Sequence, residues 1–287
     1  MRKAAIDIGT NSCRLLVADV EEGRYEVIRR EINTTRLGQG VDAAGVLNPA
    51  AIERTIKCLQ DFINIIRELG VEWYRAVATS AVREAANRCE FMEQTYQVCG
   101  IAVEVIDGEE EARLSYRGVQ GGLSLDGSPL VADLGGGSCE FILLAEKVQL
   151  AMSLPLGAVR ATEARYDSEK IRSLLSPLLP YRDRLQDYPL VFVGGTATSL
   201  VAVHLALPEY DSRLVHGQAL TYAEVEAVCG LLGSLPLESR RHLPGLQSER
   251  ADIIPAGALI ILEIMQLLNR DRIIISETDI LDGVIIR

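Results

Sequence analysis

Asp133-Leu-Gly-Gly-Gly-Ser-Cys-Glu140-Phe-Ile-Leu-Leu144 decides how this chain is read, because the N-terminus already carries its pattern as Asp7-Ile-Gly-Thr-Asn-Ser-Cys-Arg14-Leu-Leu-Val17. Asp7 aligns with Asp133, Gly9 with Gly135, Ser12 with Ser138 and Cys13 with Cys139, all at one offset of 126 residues. Each copy starts as a short apolar run, reaches a carboxylate, turns through glycine and small hydroxyl residues, and resumes an apolar run. That is a strand, a tight turn and a returning strand. One such hairpin would be unremarkable, but two in register report a duplicated architecture.

The turns have the chemistry of a phosphate site. Glycines let backbone N–H groups come close to an anion, and Ser or Thr hydroxyls add donors. The carboxylate that ends each first strand would repel phosphate directly and suits a hydrated Mg²⁺ instead, with Mn²⁺ as the alternative. Two such turns facing one another would clamp a phosphate chain. A third turn of the same kind, Gly194-Gly195-Thr196, follows the apolar run 190–193 and leads into a helix, whose N-terminus is an anion site by geometry.

Composition narrows the class. At 287 residues the expectation is two domains, and 48% hydrophobic against 24% charged residues is the balance of a globular protein with ample core. A net charge of −11 argues against a nucleic-acid or anionic-membrane surface, so a polyanionic ligand would need a local positive field from a few arginines and backbone amides. Six cysteines without a C-x-x-C pair and three histidines give no zinc pattern. Cys13 and Cys139 stand where apolar strand residues would, as buried free thiols of a reducing cytoplasm. No signal-peptide segment precedes Asp7, and the longest apolar run, 253–268, holds Pro255 and Glu263 and is too short to span a bilayer. A cytoplasmic protein is expected.

Along the chain, 24–28 reads as a third strand, and Asn48-Pro49 opens a helix whose buried face is Ile52, Ile56, Leu59, Phe62, Ile63 and Ile66. Strand 73–78 leads into a helix capped by Thr79-Ser80, which places Arg83 in its first turn. Strand 102–106 precedes a helix from Glu109 to about Arg117, whose three leading acids suit a helix N-terminus. The glycine-rich stretch 118–129 reads as the linker between halves. Strands follow at 130–132, 141–144, 148–153 and 190–193, with a helix beginning at 158–166. A buried helix at 253–268, a strand at 272–276 and a terminal helix at 280–287 complete the reading.

With these residues in view the chain resembles the Ppx/GppA family of exopolyphosphatases and guanosine pentaphosphate phosphohydrolases. The resemblance runs through Asp7–Leu16, Thr35-Arg-Leu-Gly-Gln-Gly40, Ala78-Thr-Ser-Ala-Val-Arg-Glu-Ala85, Gly108-Glu-Glu-Glu-Ala-Arg-Leu114 and Asp133–Ser138. It continues in Ser153–Val159, Gly194–Thr198, His216-Gly217 and Arg250-Ala-Asp-Ile-Ile-Pro-Ala-Gly257. It implies an α/β fold of two ribonuclease H-like domains of the actin/hexokinase/sugar-kinase superfamily with an interdomain cleft. The expected division is 1–118 plus 279–287 and 119–278, the terminal helix returning to the first domain.

Carried onto these positions, the resemblance makes Glu111 the catalytic base and places Asp133 and Glu140 at the metal and water site, with Asp7 their acidic counterpart in the other copy. Gly9, Thr10, Asn11, Ser12, Gly135, Gly136, Gly137, Ser138, Gly194, Gly195 and Thr196 would cradle phosphate, and Arg83 and Arg250 would contact it. Cys139 replaces the family's usual threonine, and the expectation is a short member without the C-terminal HD-type domain of long ones. The expected activity is metal-dependent release of orthophosphate from the end of inorganic polyphosphate, by a homodimer. Guanosine pentaphosphate or another nucleotide is the alternative substrate. A non-catalytic polyphosphate or nucleotide sensor is the alternative of another class, disfavoured because Asp7, Glu111, Asp133 and Glu140 are all present. Arg14 could reach phosphate or cap the strand pair, the role of Arg36 is open, and His216-Gly217 reads as a structural turn.

Overall fold

The computed structural model describes residues 1–22, 24–146 and 149–286. Along the chain the strands are β1 (Arg2–Ile8), β2 (Cys13–Glu21), β3 (Arg24–Asn33), β4 (Trp73–Ala78), β5 (Val103–Val105), β6 (Leu130–Leu134), β7 (Cys139–Leu144), β8 (Gln149–Leu154), β9 (Leu190–Val193), β10 (Ala219–Thr221) and β11 (Arg272–Ile275). The early helices are α1 (Val41–Ala44), α2 (Pro49–Glu68), α3 (Ser80–Glu84), α4 (Arg88–Cys99) and α5 (Gly108–Gly122). Then come α6 (Ala158–Glu163), α7 (Ser168–Leu175), α8 (Arg182–Leu185), α9 (Gly195–His204), α10 (Ser212–Val215), α11 (Tyr222–Ser234), α12 (Leu237–Arg240), α13 (Ile254–Leu267) and α14 (Ile280–Ile285). The chain forms two compact units, Met1–Gly121 with Ile280–Arg287, and Gly122–Asp279.

The first unit has a five-stranded sheet in the order β3-β2-β1-β4-β5. β1, β2 and β3 are an antiparallel meander, while β4 and β5 run parallel to β1 and are reached through helical crossovers. α2 starts where Asn48 accepts a hydrogen bond from the Ala50 N–H at 2.9 Å, with Pro49 in its first turn. Its Ile52, Leu59, Phe62, Ile63 and Ile66 are buried in the core on one side of the sheet, with Ile6, Ile8, Leu15 and Phe91. The other side is covered by α14, whose Ile280, Leu281, Val284 and Ile285 pack with Leu16, Val77 and Leu114. Asp282, fully buried on α14, is satisfied by the Tyr25 hydroxyl and Arg30, both donating at 2.5 Å.

The second unit repeats the plan. Its sheet runs β10-β11-β9-β6-β7-β8, in which β6, β9 and β11 are parallel and β7 and β8 complete the antiparallel meander. Strand for strand, β8-β7-β6-β9-β11 corresponds to β3-β2-β1-β4-β5, so the echoed motif stands on the same hairpin of each sheet. This is the ribonuclease H-like arrangement, twice. No helix among the described residues is long and apolar enough to cross a membrane.

Several expectations need adjusting. β3 extends to Asn33, five residues beyond the predicted strand, because its long pairing with β2 continues there. The predicted linker 118–129 is helical as far as Gly122: α5 runs on through Gly118 and Val119, both buried, since packing overrides glycine's weak helix propensity. Val148, taken as the start of β8, and Arg287, taken as the end of the terminal helix, lie outside the described residues.

Two predictions follow from this packing. A Cβ on Gly283 would fall on the carbonyl oxygen of Leu114 in α5, whereas one on Gly230 in α11 meets nothing within 4 Å. Gly283→Ala is therefore expected to lower stability by about 1–3 kcal/mol in urea unfolding, and Gly230→Ala to leave it unchanged or raise it by about 0.5–1 kcal/mol. Cys139 and Cys13 are fully buried and Cys89 is exposed. Burial pushes the Cys139 thiol well up, with Glu140 and Asp133 adding to the shift. Alkylation of the native protein near pH 8, read by peptide mass spectrometry, should label Cys89 and spare Cys139 until the chain is unfolded.

Candidate active site

In both units the residues singled out from the sequence gather beyond the carboxyl ends of the parallel strands, where α/β sheets place their ligands. In the first unit the turn after β1 is closed by the Gly9 N–H donating to the Ser12 carbonyl at 3.0 Å. Two more of its carbonyls are engaged: Gly38 N–H donates to Thr10 O and Arg36 N–H to Asn11 O, both at 2.8 Å. The Thr35–Gly40 block, with Arg36 donating through its backbone N–H, is thus the platform that holds this turn. Thr10 and Asn11 are buried, and the Asn11 Nδ2 amide has no hydrogen-bond partner among the described residues. A turn with the carbonyls of Thr10, Asn11 and Ser12 taken has donors left to offer, which suits an anion.

Asp7 and Arg14 stand directly opposite one another on β1 and β2. Arg14 donates from Nε at 2.9 Å and from Nη2 at 2.7 Å to Asp7 Oδ2. Of the two readings of Arg14, the geometry places its guanidinium on the buried carboxylate. Asp7, expected to help hold a metal, is charge-compensated by this pair.

The acidic run at the start of α5 is divided by its surroundings. Glu109 pairs with Arg113 and Glu110 with Arg75, near solvent. Glu111 turns inward, is 8% exposed, and takes a 2.8 Å ion pair from Arg83 Nη1, which also donates to the Ile106 carbonyl at 3.1 Å. Arg83 was expected on substrate phosphate; it is seen holding the expected base in place. Spacing alone could not reveal this contact, since the two residues are brought together by the β4–α3 and β5–α5 junctions.

In the second unit the register pair corresponding to Asp7 and Arg14 is Asp133 and Glu140. Residues directly opposite on antiparallel strands share a face of the sheet, with Cβ atoms about 4.5–5.5 Å apart. Glu140 is 1% exposed and accepts from the Ser153 hydroxyl at 2.7 Å. The adjoining turn is held as its counterpart is: Gly135 N–H donates to Ser138 O, and the carbonyls of Gly135 and Gly136 accept from the N–H groups of Ala158, Val159 and Arg160. Arg160 Nε donates to the Gly137 carbonyl at 2.7 Å. α6 therefore consumes the acceptors of this turn. A Cβ on Gly157 would fall on the backbone of Gly136 and Gly137, so that docking requires glycine. Ser138 is buried in the turn.

The third turn lies beside the second. Asp133 Oδ1 is 3.4 Å from where a Cβ on Gly194 would stand. The guanidinium of Arg250, buried and fixed by Nε donation to Gln247 Oε1 at 3.0 Å, lies where a side chain on Gly195 would be. Arg250 and the N-terminus of α9, which carries Thr196 in its first turn, thus combine two sources of positive potential.

The fit to a divalent cation can be judged from the donors. Asp133 and Glu140 supply two oxygen ligands from one face of the sheet, and among the described residues no cluster of three or more metal-binding side chains occurs. Two carboxylates, with remaining positions left to water and phosphate oxygens, is how Mg²⁺ is held in phosphoryl-transfer sites. The residues fit.

Comparison with known proteins agrees with this geometry. Residues 16–287 match the model of the Ppx/GppA phosphatase family. Exopolyphosphatase 2 of Mycobacterium tuberculosis is 38% identical across 99% of this chain and 97% of its own length. The solved Ppx/GppA enzyme of Aquifex aeolicus is 34% identical, with a TM-score of 0.82 over 100% of this chain and 99% of that one. A solved exopolyphosphatase from Cytophaga hutchinsonii is 26% identical, with a TM-score of 0.89 over 99% of this chain and 96% of that one. With a family match over nearly the whole sequence and this fold around these turns, the chain belongs to the Ppx/GppA phosphatase family.

Proposed function

We propose that this protein is an exopolyphosphatase, hydrolysing the terminal phosphoanhydride of inorganic polyphosphate with release of orthophosphate. The observation that carries the reading is the facing pair of half-buried Asp133 and buried Glu140, set beside a glycine turn whose acceptors are taken. Carboxylates for a cation and donors for an anion occur together at one strand end, as a metal-complexed phosphate chain demands. The kinship to a protein described as an exopolyphosphatase over nearly full length supports the same substrate.

Each group has a role in this reading. Glu111 orients the attacking water and takes its proton, and Arg83 holds the Glu111 carboxylate in position through its 2.8 Å contact. Asp133 and Glu140 hold Mg²⁺ or Mn²⁺, which when bound would offset charge on the phosphate oxygens. In the first unit the turn at 9–12, with the buried Asn11 amide, offers donors suited to phosphate; in the second the turns at 135–138 and 194–196 do so, and Arg250 adds a planar cationic group. The Asp7–Arg14 pair stiffens the hairpin on which the first turn stands.

The test is phosphate release from polyphosphates of several lengths, guanosine pentaphosphate and ATP, with and without Mg²⁺. Inorganic polyphosphate should be cleaved, and only with metal; release from guanosine pentaphosphate alone would transfer the reading to the nucleotide. Glu111→Gln should cost about a hundredfold or more in kcat with substrate binding kept, as loss of a general base does. Near-normal turnover would remove Glu111 from the chemistry. Arg83→Ala should lower kcat more than it raises KM, because its recorded contact is to Glu111; a pure KM effect would return it to the substrate.

A further inference from the structure

The turn beside the Asp133–Glu140 pair is held by a helix that has no side-chain cap of its own. α6 begins at Ala158, and Gly157 before it offers its N-terminus no side-chain acceptor. The first N–H groups of a helix find no partner within it and need acceptors from elsewhere. They find them in the turn: Ala158 N–H donates to Gly135 O at 3.0 Å, and the N–H groups of Val159 and Arg160 both donate to Gly136 O, at 2.9 and 3.1 Å. The next helical N–H, that of Ala161, returns to Gly157 O. The backbone donors are thus spent on two carbonyls, and that of Gly137 is met by a side chain, Arg160 Nε at 2.7 Å.

The duplication shows what this contact replaces. Gly136 and Gly137 correspond to Thr10 and Asn11 of the first copy. There both carbonyls accept from backbone N–H groups, Thr10 O from Gly38 and Asn11 O from Arg36. Thr10 and Asn11 also carry a Cβ, which narrows the conformations open to the turn. The second turn has glycine at both positions and lacks that restraint. The peptide after Gly137 is trans, so a carbonyl drawn toward α6 turns the Ser138 N–H to the opposite side. Released from Arg160, the Gly137 carbonyl would be free to leave the α6 side, adding an acceptor where an anion needs donors.

We propose that Arg160 is a positioning residue for phosphate binding: through Nε it keeps the Gly137 carbonyl on the α6 side, and so keeps the 135–138 turn a donor to anions. The hydrogen bond from Nε is the operative contact, and the guanidinium charge is secondary to it. The inference rests on the exopolyphosphatase reading for the identity of the anion, and the binding arm of its test stands apart from turnover.

Gln carries its amide nitrogen as many bonds from the backbone as Arg carries Nε, so Arg160→Gln keeps a donor there and removes the charge. Arg160→Met sets a methyl group at that point. The full chain in these two forms is compared with wild type, with Mg²⁺ present, by calorimetric binding of the non-hydrolysable imido analogue of tripolyphosphate and by KM and kcat on polyphosphate. Arg160→Met should weaken the Kd by about tenfold or more and raise KM with it, leaving kcat and the melting temperature close to wild type. Arg160→Gln should stay within about threefold of wild type. If Arg160→Met does not fold, Arg160→Lys, which keeps the charge but sets a methylene at the Nε position, replaces it with the same expectation. Wild-type affinity in Arg160→Met overturns the proposal, and so does a loss in Arg160→Gln as large as in Arg160→Met, which would locate the effect in the charge. A fall in kcat at unchanged Kd and KM, or a wild type that does not bind the analogue, overturns it as well. If wild type binds the analogue but hydrolyses no polyphosphate, the exopolyphosphatase reading fails, while the order of the three Kd values still decides for or against Arg160.

Discussion

Everything at the proposed site depends on what faces a carboxylate across two antiparallel strands. In the first unit Asp7 faces Arg14, and the pair neutralises itself through two hydrogen bonds to one oxygen. In the second unit the same register sets Asp133 against Glu140, deep enough that Glu140 is 1% exposed. Like charges held this close inside a protein favour either a shared proton or a cation. With a donor turn beside them, the cation reading explains both features at once. A single residue type at one position of a duplicated hairpin therefore separates a carboxylate paired with a guanidinium from one that faces a second carboxylate.

The turns obey a second constraint, common to both units. A glycine turn has as many acceptors as donors, and it becomes selective for anions only if the acceptors are removed. The Arg36–Gly38 loop takes those of Thr10 and Asn11 in the first unit, and the start of α6 takes those of Gly135, Gly136 and Gly137 in the second. Unrelated pieces of chain thus perform one task. The close approach required of Gly157 shows how little room is left for variation in that docking.

Much of this was legible in the sequence for a physical reason. Duplication fixes a register, so the alignment of Asp7 with Asp133 and of Arg14 with Glu140 already contained the pairing that β1–β2 and β6–β7 display. Strands β4 and β9 were equally plain, because buried parallel strands are short apolar runs bounded by turn residues. Long-range contacts were not legible. Nothing in the spacing of Arg83 and Glu111 announces their ion pair, and nothing in Thr35–Gly40 announces that its N–H groups serve another turn. Helices α4 and α11 escaped notice because apolar residues also stand on their exposed faces, Tyr96 and Val98 on α4 and Leu231 on α11, and blur the buried stripes of Phe91, Thr95 and Cys99 and of Val225, Val228 and Leu232. Glycines 118, 121 and 122 suggested a linker, yet they lie within α5.

The account is tested most directly by titrating the apo protein with Mn²⁺ or Mg²⁺ in a calorimeter, without substrate, for wild type, Glu140→Gln and Asp7→Asn. If the Asp133–Glu140 pair is the cation site, wild type binds a divalent ion, Glu140→Gln weakens it by about tenfold or more, and Asp7→Asn leaves the affinity within about twofold. Equal affinity in wild type and Glu140→Gln, or a loss confined to Asp7→Asn, would contradict the claim that the second hairpin is the metal-holding one.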